Sequence, residues 1–292
     1  MPLLSKRTSR LPEWLKKPLR FSPEVHDLKT RLRERGLSTV CEEARCPNLG
    51  ECWSQKTATF MILGDTCTRH CGFCSVTAGK PIDVDKEEPS KVADMAALLG
   101  LKHVVITCVA RDDLEDCGAS HFVKVIEAVR LKNPECAVEI LTTDFQMKRE
   151  SMETVCRALP DVFNHNLETV ERLSPRVRHR ASYQTSLEFL ERIKVFDPSL
   201  KTKSGIMLGL GETREETLQA MKDLRAVGCE ILTIGQYLQP TTSNLPVVEY
   251  IRPEVFKELE VRGYEIGFSS VASGPFVRSS YHAGEMLTLS PR

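Results

Sequence analysis

The chain has no apolar run approaching the length of a membrane span. The stretch 103–110 (HVVITCVA) is among the longest and suits a buried strand. It has no excess of either charge. Forty Lys and Arg offset forty Asp and Glu, which argues against a binder of nucleic acid or of a membrane surface, so neither is expected as a partner. No signal-peptide pattern opens the sequence, so a reducing, cytoplasmic setting is expected, where disulfides are the poorer reading of its cysteines. It carries no phosphate-binding G-x-x-x-x-G-K-S/T, no H-E-x-x-H and no G-x-S-x-G, which leaves NTPase, zinc-protease and hydrolase readings unsupported. Internal repeats and low-complexity blocks are also missing. What remains is an ordinary globular composition over 292 residues, 41% hydrophobic and 27% charged, enough to build a core without a covalent or metal staple.

Cysteine is the exception. The chain has eleven, and six fall within the 34 residues from Cys41 to Cys74. They form two groups of three, which cannot pair off internally. Cysteines this dense in a reduced chain with its own core point to metal or catalysis.

The first 35 residues carry ten Lys and Arg against four Asp and Glu and read as an arm; an Arg-rich transit peptide or a solvated basic tail are the competing readings. Beyond it, apolar runs at 59–64, 103–110, 137–142, 162–167, 202–210 and 231–238 predict strands. Helical patterns at 90–99, 120–131, 149–159, 184–195 and 215–227 alternate with them. Ser90 and Thr213 are candidate N-caps, the latter with Glu216 completing a capping box, and Gly100 and Gly228 are candidate stops. Continuous Val/Ile/Leu strands each followed by a helix argue a parallel sheet. Six βα units fall short of the eight of a closed barrel, so the expected fold is α/β, a partial (β/α)6 barrel or an open sheet. Ligands then sit at the carboxyl ends of the strands. The run 264–272 reads as one more strand, followed by a C-terminal extension.

The second triad, Cys67-x₃-Cys71-x₂-Cys74, begins just after the first predicted strand, where a barrel places its active-site loops. Three thiolates on a four-iron cubane leave one iron open, as a catalytic site requires. The first triad, Cys41-x₄-Cys46-x₅-Cys52, supplies three more. Two zinc sites, or one site shared between the triads and completed by His70 or His26, remain open on this evidence alone.

With Phe73 between its last two cysteines, the second triad resembles the signature of radical S-adenosylmethionine enzymes. Together with the preceding CEEARCPNLGECW and the terminal RSSYHAGE, it resembles the lipoyl synthase family over residues 10 to 285. The resemblance implies two 4Fe–4S clusters. One would be held by Cys67, Cys71 and Cys74 and would bind S-adenosylmethionine; an auxiliary one would be held by Cys41, Cys46, Cys52 and a serine of RSSY, taken as Ser280. A hard alkoxide on soft cluster iron is a displaceable ligand, fitting a cluster that gives up sulfur. The implied reaction inserts sulfur at carbons six and eight of a protein-bound octanoyl-lysine. The implied partners are lipoyl carrier domains of 2-oxoacid dehydrogenase complexes, the glycine-cleavage H protein, and an electron donor such as ferredoxin or flavodoxin. The implied organisation is 1–56 as arm and auxiliary extension, 57–272 as barrel and 273–292 as C-terminal extension. Another sulfur-inserting radical enzyme, of the biotin synthase or methylthiotransferase kind, and a non-catalytic zinc-binding protein are the alternatives.

Further candidates sit at strand ends. Asp112, Asp113, Asp116 and Gly118 follow the second strand; by resemblance this loop approaches the methionine end of the cofactor, although Cys117 stands where the family pattern has glycine. Asn164, Asn166 and Glu168 end the fourth strand and suit ribose hydroxyls or an ammonium group. Arg178 resembles the arginine that neutralises the cofactor carboxylate. Gly209 and Glu212, in the loop after the fifth strand, are expected near the cofactor, and Gln236, Tyr237 and Gln239 are expected to border adenine. Cys108, Cys136, Cys156 and Cys229 lack ligand spacing and read as small buried hydrophobes.

Overall fold

The computed structural model of the chain describes residues 11–16, 23–43, 46, 48, 59–281 and 283–289. It opens with helix α1 (Pro23–Glu34), strand β1 (Ser38–Thr39) and the short helix α2 (Val40–Glu43). The sheet continues through β2 (Thr59–Ile62), β5 (His103–Cys108), β6 (Ala137–Leu141), β7 (Val162–Asn164), β8 (Lys201–Leu208), β9 (Ile231–Gln236) and β10 (Ser270–Gly274). These pair in the order β1-β2-β5-β6-β7-β8-β9-β10, all parallel except the β1–β2 pair. A separate two-stranded pair, β3 (Thr66–Cys67) with β4 (Thr77–Ala78), braces the loop between them. Helices α3 (Glu88–Leu99), α4 (Ala119–Lys132), α5 (Arg149–Arg157), α7 (Tyr183–Phe196), α8 (Arg214–Ala226) and α9 (Pro253–Ile266) connect the parallel strands; the four-residue α6 (Ser174–Val177) precedes α7. The last helix is α10 (Ala283–Leu289).

Side chains alternate between the two faces of a sheet that curves around a cavity. Phe60, Ile62, Val104, Ile106, Val138, Ile140 and Phe163 are fully buried and form the core with α3, α4 and α5. The intervening residues Thr59, Met61, Thr107, Gly205, Thr233 and Gly235 face one shared cavity, although they come from strands at opposite ends of the sheet order. The result is the expected partial barrel. Deep in this sheet Lys203 meets both carboxylate oxygens of Glu139 at 2.9 and 3.1 Å, both side chains being essentially inaccessible. Helix α10 contacts both β5 and β10, bridging strands far apart in the sheet.

Boundaries moved for local reasons. Thr213 caps α8 through the expected capping box, and Gly100 ends α3 in the left-handed conformation. Ser90 is not a cap: α3 starts at Glu88 with Pro89 in its first turn, and the Ser90 hydroxyl donates back to the Glu87 carbonyl. The run 264–272 is not one strand. Its first residues finish α9, which Gly267 terminates with φ 104°, and β10 begins only at Ser270. In the N-terminal arm Leu15 is buried and the Trp14 ring faces the Arg252 guanidinium at 5.9 Å, so this part of the arm is docked on the body.

Candidate active site

The barrel interior opens into a cavity of about 530 Å³ at the carboxyl ends of the strands. Cys67, Cys71, Phe73 and Cys74 line it from the β2–β4 segment. That loop is tied down from several sides. Thr68 donates from its backbone and its hydroxyl to the Ala110 carbonyl, both at 3.0 Å, and Gly72 donates to the Val177 carbonyl at 2.9 Å. Leu245 donates to the Gly72 carbonyl at 2.9 Å, and the Asn244 amide donates to the Cys74 carbonyl at 2.8 Å. A Cβ on Gly72 would lie 2.9 Å from the Leu245 side chain, so glycine allows the close approach.

The thiols themselves suit a cationic, multi-iron centre. The Cys67 sulfur accepts from the backbone N–H groups of Ala110 at 3.2 Å and Arg69 at 3.4 Å, and the Cys71 sulfur from that of His179 at 3.5 Å. Such donors favour the thiolate that binds iron. Burial, together with the neighbouring thiols, pushes Cys71 up and Cys74 up to about 11, and a bound cation would offset this by favouring the thiolates. Among the described residues no three His, Cys, Asp or Glu side chains are placed to hold one metal ion. A cubane, with a different iron for each thiolate, does not require such close convergence.

Across the cavity lie Asn166, Glu168 and Arg178. The Asn166 amide donates to the Ser279 hydroxyl at 2.8 Å, while its Oδ1 is buried without a partner among the described residues. Glu168 has φ 71°, a left-handed conformation unfavourable for a residue with a side chain, and burial raises its carboxyl above the usual range. Arg178 donates to the Ser186 hydroxyl and to the Leu167 carbonyl. An unmet acceptor, a half-buried carboxyl and a half-buried guanidinium on one wall suit a ligand with hydroxyl, ammonium and carboxylate groups.

Other predicted residues are placed differently. Gln236 and Tyr237 line the cavity, but the Gln236 amide is spent on the carbonyls of Leu208, Tyr237 and Glu249 and on the Ile251 N–H. The Tyr237 hydroxyl donates to the Leu245 carbonyl at 2.7 Å. Gln239 is on the lining, its amide donating to the Asn244 carbonyl. Gly209 and Glu212 are off the lining: the Glu212 carboxylate closes its own loop by accepting from the Gly209 and Leu210 N–H groups. Gly118 is also off it and packs on Leu63, while Cys117 is buried with φ 54°, a conformation that glycine adopts without cost. Asp116 accepts from the Gly118 and Ser120 N–H groups at the start of α4, Asp113 pairs with Arg111, and Asn164 donates to Glu139 inside the sheet. Cys136, Cys156 and Cys229 are buried, whereas Cys108 is half-buried and lines the cavity.

The first triad is represented here by Cys46, which lines the same cavity. The Cys41 side chain and Cys52 lie outside the described residues. The C-terminal segment comes back to this place: Asn48 donates to the Phe276 carbonyl at 2.6 Å, and Arg278, Ser279 and Ser280 line the cavity. The Ser75 hydroxyl donates to the Glu43 carbonyl, joining the two triad segments. Residues 278–281 are not extended; Tyr281 donates to the Arg278 carbonyl at 2.9 Å, making Ser279 and Ser280 the central residues of a turn. Both serines therefore face the site region.

Sequence reasoning missed three contributors. Gly205 and Gly235 keep the cavity open, since a Cβ at either would meet Asn166 and Thr233, or the Val277 carbonyl. Arg69 is buried between Asp112 and Asp144. Its position two residues after Cys67 was the available signal.

Residues 61–224 match the model of the radical SAM superfamily, and residues 2–46 match that of the N-terminal domain of lipoyl synthase of the radical SAM family. The chain is 54% identical over 280 residues to a lipoyl synthase of Oceanobacillus iheyensis, covering 96% of this chain and 89% of that protein. It is 54% identical over 289 residues to a lipoyl synthase of Symbiobacterium thermophilum, covering 98% and 90%. Among solved structures, Streptococcus suis SuiB bound to S-adenosylmethionine superposes with TM-score 0.58 at 11% identity, over 77% of this chain and 53% of that one, about half its length. The FeFe-hydrogenase maturase HydG superposes with TM-score 0.54 at 14% identity, over 90% and 74%. These two likenesses concern the fold alone.

Proposed function

The chain belongs to the lipoyl synthase family of radical S-adenosylmethionine enzymes, and from that premise we propose how its own residues divide the work. The activity is insertion of two sulfur atoms at carbons six and eight of an octanoyl-lysine on a lipoyl carrier protein, with S-adenosylmethionine, iron–sulfur clusters and a reductant. When bound, the clusters and S-adenosylmethionine supply a carbon-centred 5′-deoxyadenosyl radical and the sulfur.

Cys67, Cys71 and Cys74 would hold the cluster that meets S-adenosylmethionine, with Phe73 on the same cavity. Arg178 pairs with the cofactor carboxylate, while the unmet Asn166 Oδ1 and the Glu168 carboxyl take its hydroxyl and ammonium donors. Gln236 and Tyr237 border the adenine with ring and amide surface already fixed by the backbone. Gly118, Gly209 and Glu212 act one layer out, shaping loops without touching the cofactor. Cys41, Cys46, Cys52 and Ser280 hold the auxiliary cluster. We assign residues 1–56 and 273–292 to one functional unit around the 57–272 barrel. The carriers are the lipoyl domains of 2-oxoacid dehydrogenase complexes and the glycine-cleavage H protein, and ferredoxin or flavodoxin supplies electrons in the cytoplasm.

The observation that carries this reading is the meeting of Cys46, Ser280 and the Cys67/Cys71/Cys74 loop on one cavity. An alkyl radical is lost to hydrogen donors of the protein, such as S–H or activated C–H bonds, unless the sulfur source is at hand, so the two clusters would share one site. Anaerobically reconstituted protein should carry about eight irons and eight sulfides per chain, as two cubanes require, and convert an octanoyl-lysine peptide to lipoyl-lysine by mass spectrometry. Stoichiometric zinc with negligible sulfide overturns the assignment.

A further inference from the structure

We infer that Arg69, held between Asp112 and Asp144, is a positioning residue for the cluster at Cys67, Cys71 and Cys74, fixing its loop and setting the local charge against which it is reduced. The inference rests on the reading that these three cysteines hold the S-adenosylmethionine cluster.

The three residues come from the loops after three successive strands, β2, β5 and β6. The guanidinium donates to both Asp112 oxygens at 2.8 Å through Nε and Nη2, and to both Asp144 oxygens at 3.0 and 2.6 Å through Nη1 and Nη2. The side chains are 7%, 6% and 3% exposed, so the pairs are poorly screened by salt. Only a planar fork makes four such bonds, and a lysine ammonium cannot reproduce the geometry. Burial alone would raise both carboxyls, but the hydrogen bonds to Arg69 hold them below the usual range. The same residue's backbone N–H donates to the Cys67 sulfur, and its side chain lines the main cavity.

On its other side Arg69 walls a second cavity of about 250 Å³ bounded by Gln146, Met147 and Arg180. Arg69 therefore lines both cavities. The loop carrying Asp144 is strained, with φ of 45°, 52° and 57° at Phe145, Gln146 and Met147. Three left-handed residues in a row persist only where the surroundings over-determine them, and the Arg69–Asp144 pair is one such constraint.

One cation and two anions leave the trio with a net negative charge beside a cluster that must accept an electron. Neutralising the arginine should make reduction harder, and neutralising one aspartate should make it easier. A merely structural role predicts no such opposition. The test uses the full chain with Cys41, Cys46 and Cys52 changed to alanine, so that one cluster remains, and an anaerobic redox titration followed by electron paramagnetic resonance. Arg69→Gln should shift the potential down, Asp144→Asn should shift it up, and Arg69→Lys should lie between Arg69→Gln and the parent. Shifts of one sign in Arg69→Gln and Asp144→Asn, or no shift in either, overturn the inference. If Arg69→Gln takes up no cluster, Asp144→Asn decides alone: an upward shift supports the inference, and a downward one or none overturns it. A parent that binds no iron before any titration refutes the underlying cluster assignment, and the inference with it.

Discussion

The two cysteine groups are built on opposite principles. The Cys67/Cys71/Cys74 site comes from a single eight-residue loop, fastened by backbone hydrogen bonds to the Ala110, Val177 and Leu245 segments. The other site joins Cys46 to a turn at 278–281, with Asn48 and Phe276 bonded across 228 positions of sequence. A local loop is assembled almost as soon as the barrel forms, whereas a site closed by distant segments bears a larger loop-closure entropy. The first arrangement suits a cluster that must survive every turnover. The second suits one whose ligand must let go.

The sharpest way to break this comparison is to remove each triad. Changing Cys67, Cys71 and Cys74 to alanine should abolish 5′-deoxyadenosine formation and leave one cluster. Changing Cys41, Cys46 and Cys52 should leave that activity under strong reductant while lipoyl product falls to zero. Chromatography of 5′-deoxyadenosine beside mass spectrometry of the peptide reads both. Sulfur insertion by the second variant would mean that the two sites are not divided as described.

Next in size is the serine turn. Ser280→Ala should keep 5′-deoxyadenosine formation and lose sulfur insertion, and Ser280→Cys should hold the auxiliary cluster too tightly to release sulfur. Ser279 is not an inert control, because its hydroxyl accepts from Asn166. Ser279→Ala should cost about 1 kcal/mol, a single hydrogen bond, and reduce yield without separating cleavage from insertion. Equal losses of insertion in Ser279→Ala and Ser280→Ala would remove the special role of Ser280.

The same contrast explains what could be read in the sequence. The six βα units, the capping box at Thr213 and the compact CxxxCxxC were legible because each is a local pattern: apolar runs, a four-residue cap, a tight spacing. The C-terminal turn was harder, since RSSY looks like a polar tail until Asn48 is seen to hold the preceding residues. Gly118, Gly209 and Glu212 lie in the loops after the second and fifth expected strands, yet their atoms are taken up by Leu63, Gln236 and backbone N–H groups. Loop membership follows from order along the chain; which way a side chain faces depends on tertiary neighbours. Arg69 escaped notice for that reason, as its two partners lie 43 and 75 residues away.

Acid should act on the barrel wall more than on the terminal segments. His165 is buried; burial, with Arg178 near by, pushes its pKa down to about 4. Nδ1 sits 2.9 Å from the Thr142 carbonyl, which can only accept, so the neutral ring carries its proton there and Nε2 accepts from Ser186. The unfolded chain, with an ordinary value of about 6.5, binds more protons between these limits. Stability is therefore lost as pH falls from about 6.5 towards about 4, by up to roughly 3 kcal/mol. Denaturant midpoints at pH 7 and pH 5 should diverge in the parent and diverge less in His165→Gln. Equal divergence would assign the acid sensitivity elsewhere.

The mildest perturbation is the most selective. Asn48 is buried and its amide donates at 2.6 Å to the Phe276 carbonyl, two residues before Arg278. Asn48→Ala removes that donor, a cost of about 1 kcal/mol for a single hydrogen bond. The hydrogen bonds described for the 67–74 loop run to Ala110, Val177, Leu245 and Asn244, so the loss should fall mainly on the approach of the C-terminal turn to Cys46. Iron content should drop towards one cluster only under competition from a chelator, and 5′-deoxyadenosine formation should stay within about twofold of the parent, since 1.4 kcal/mol is a tenfold change and little of the loss reaches the radical site. If chelator removed both clusters at equal rates, the two sites would be mechanically one, and the contrast between a local loop and a distant closure would fail.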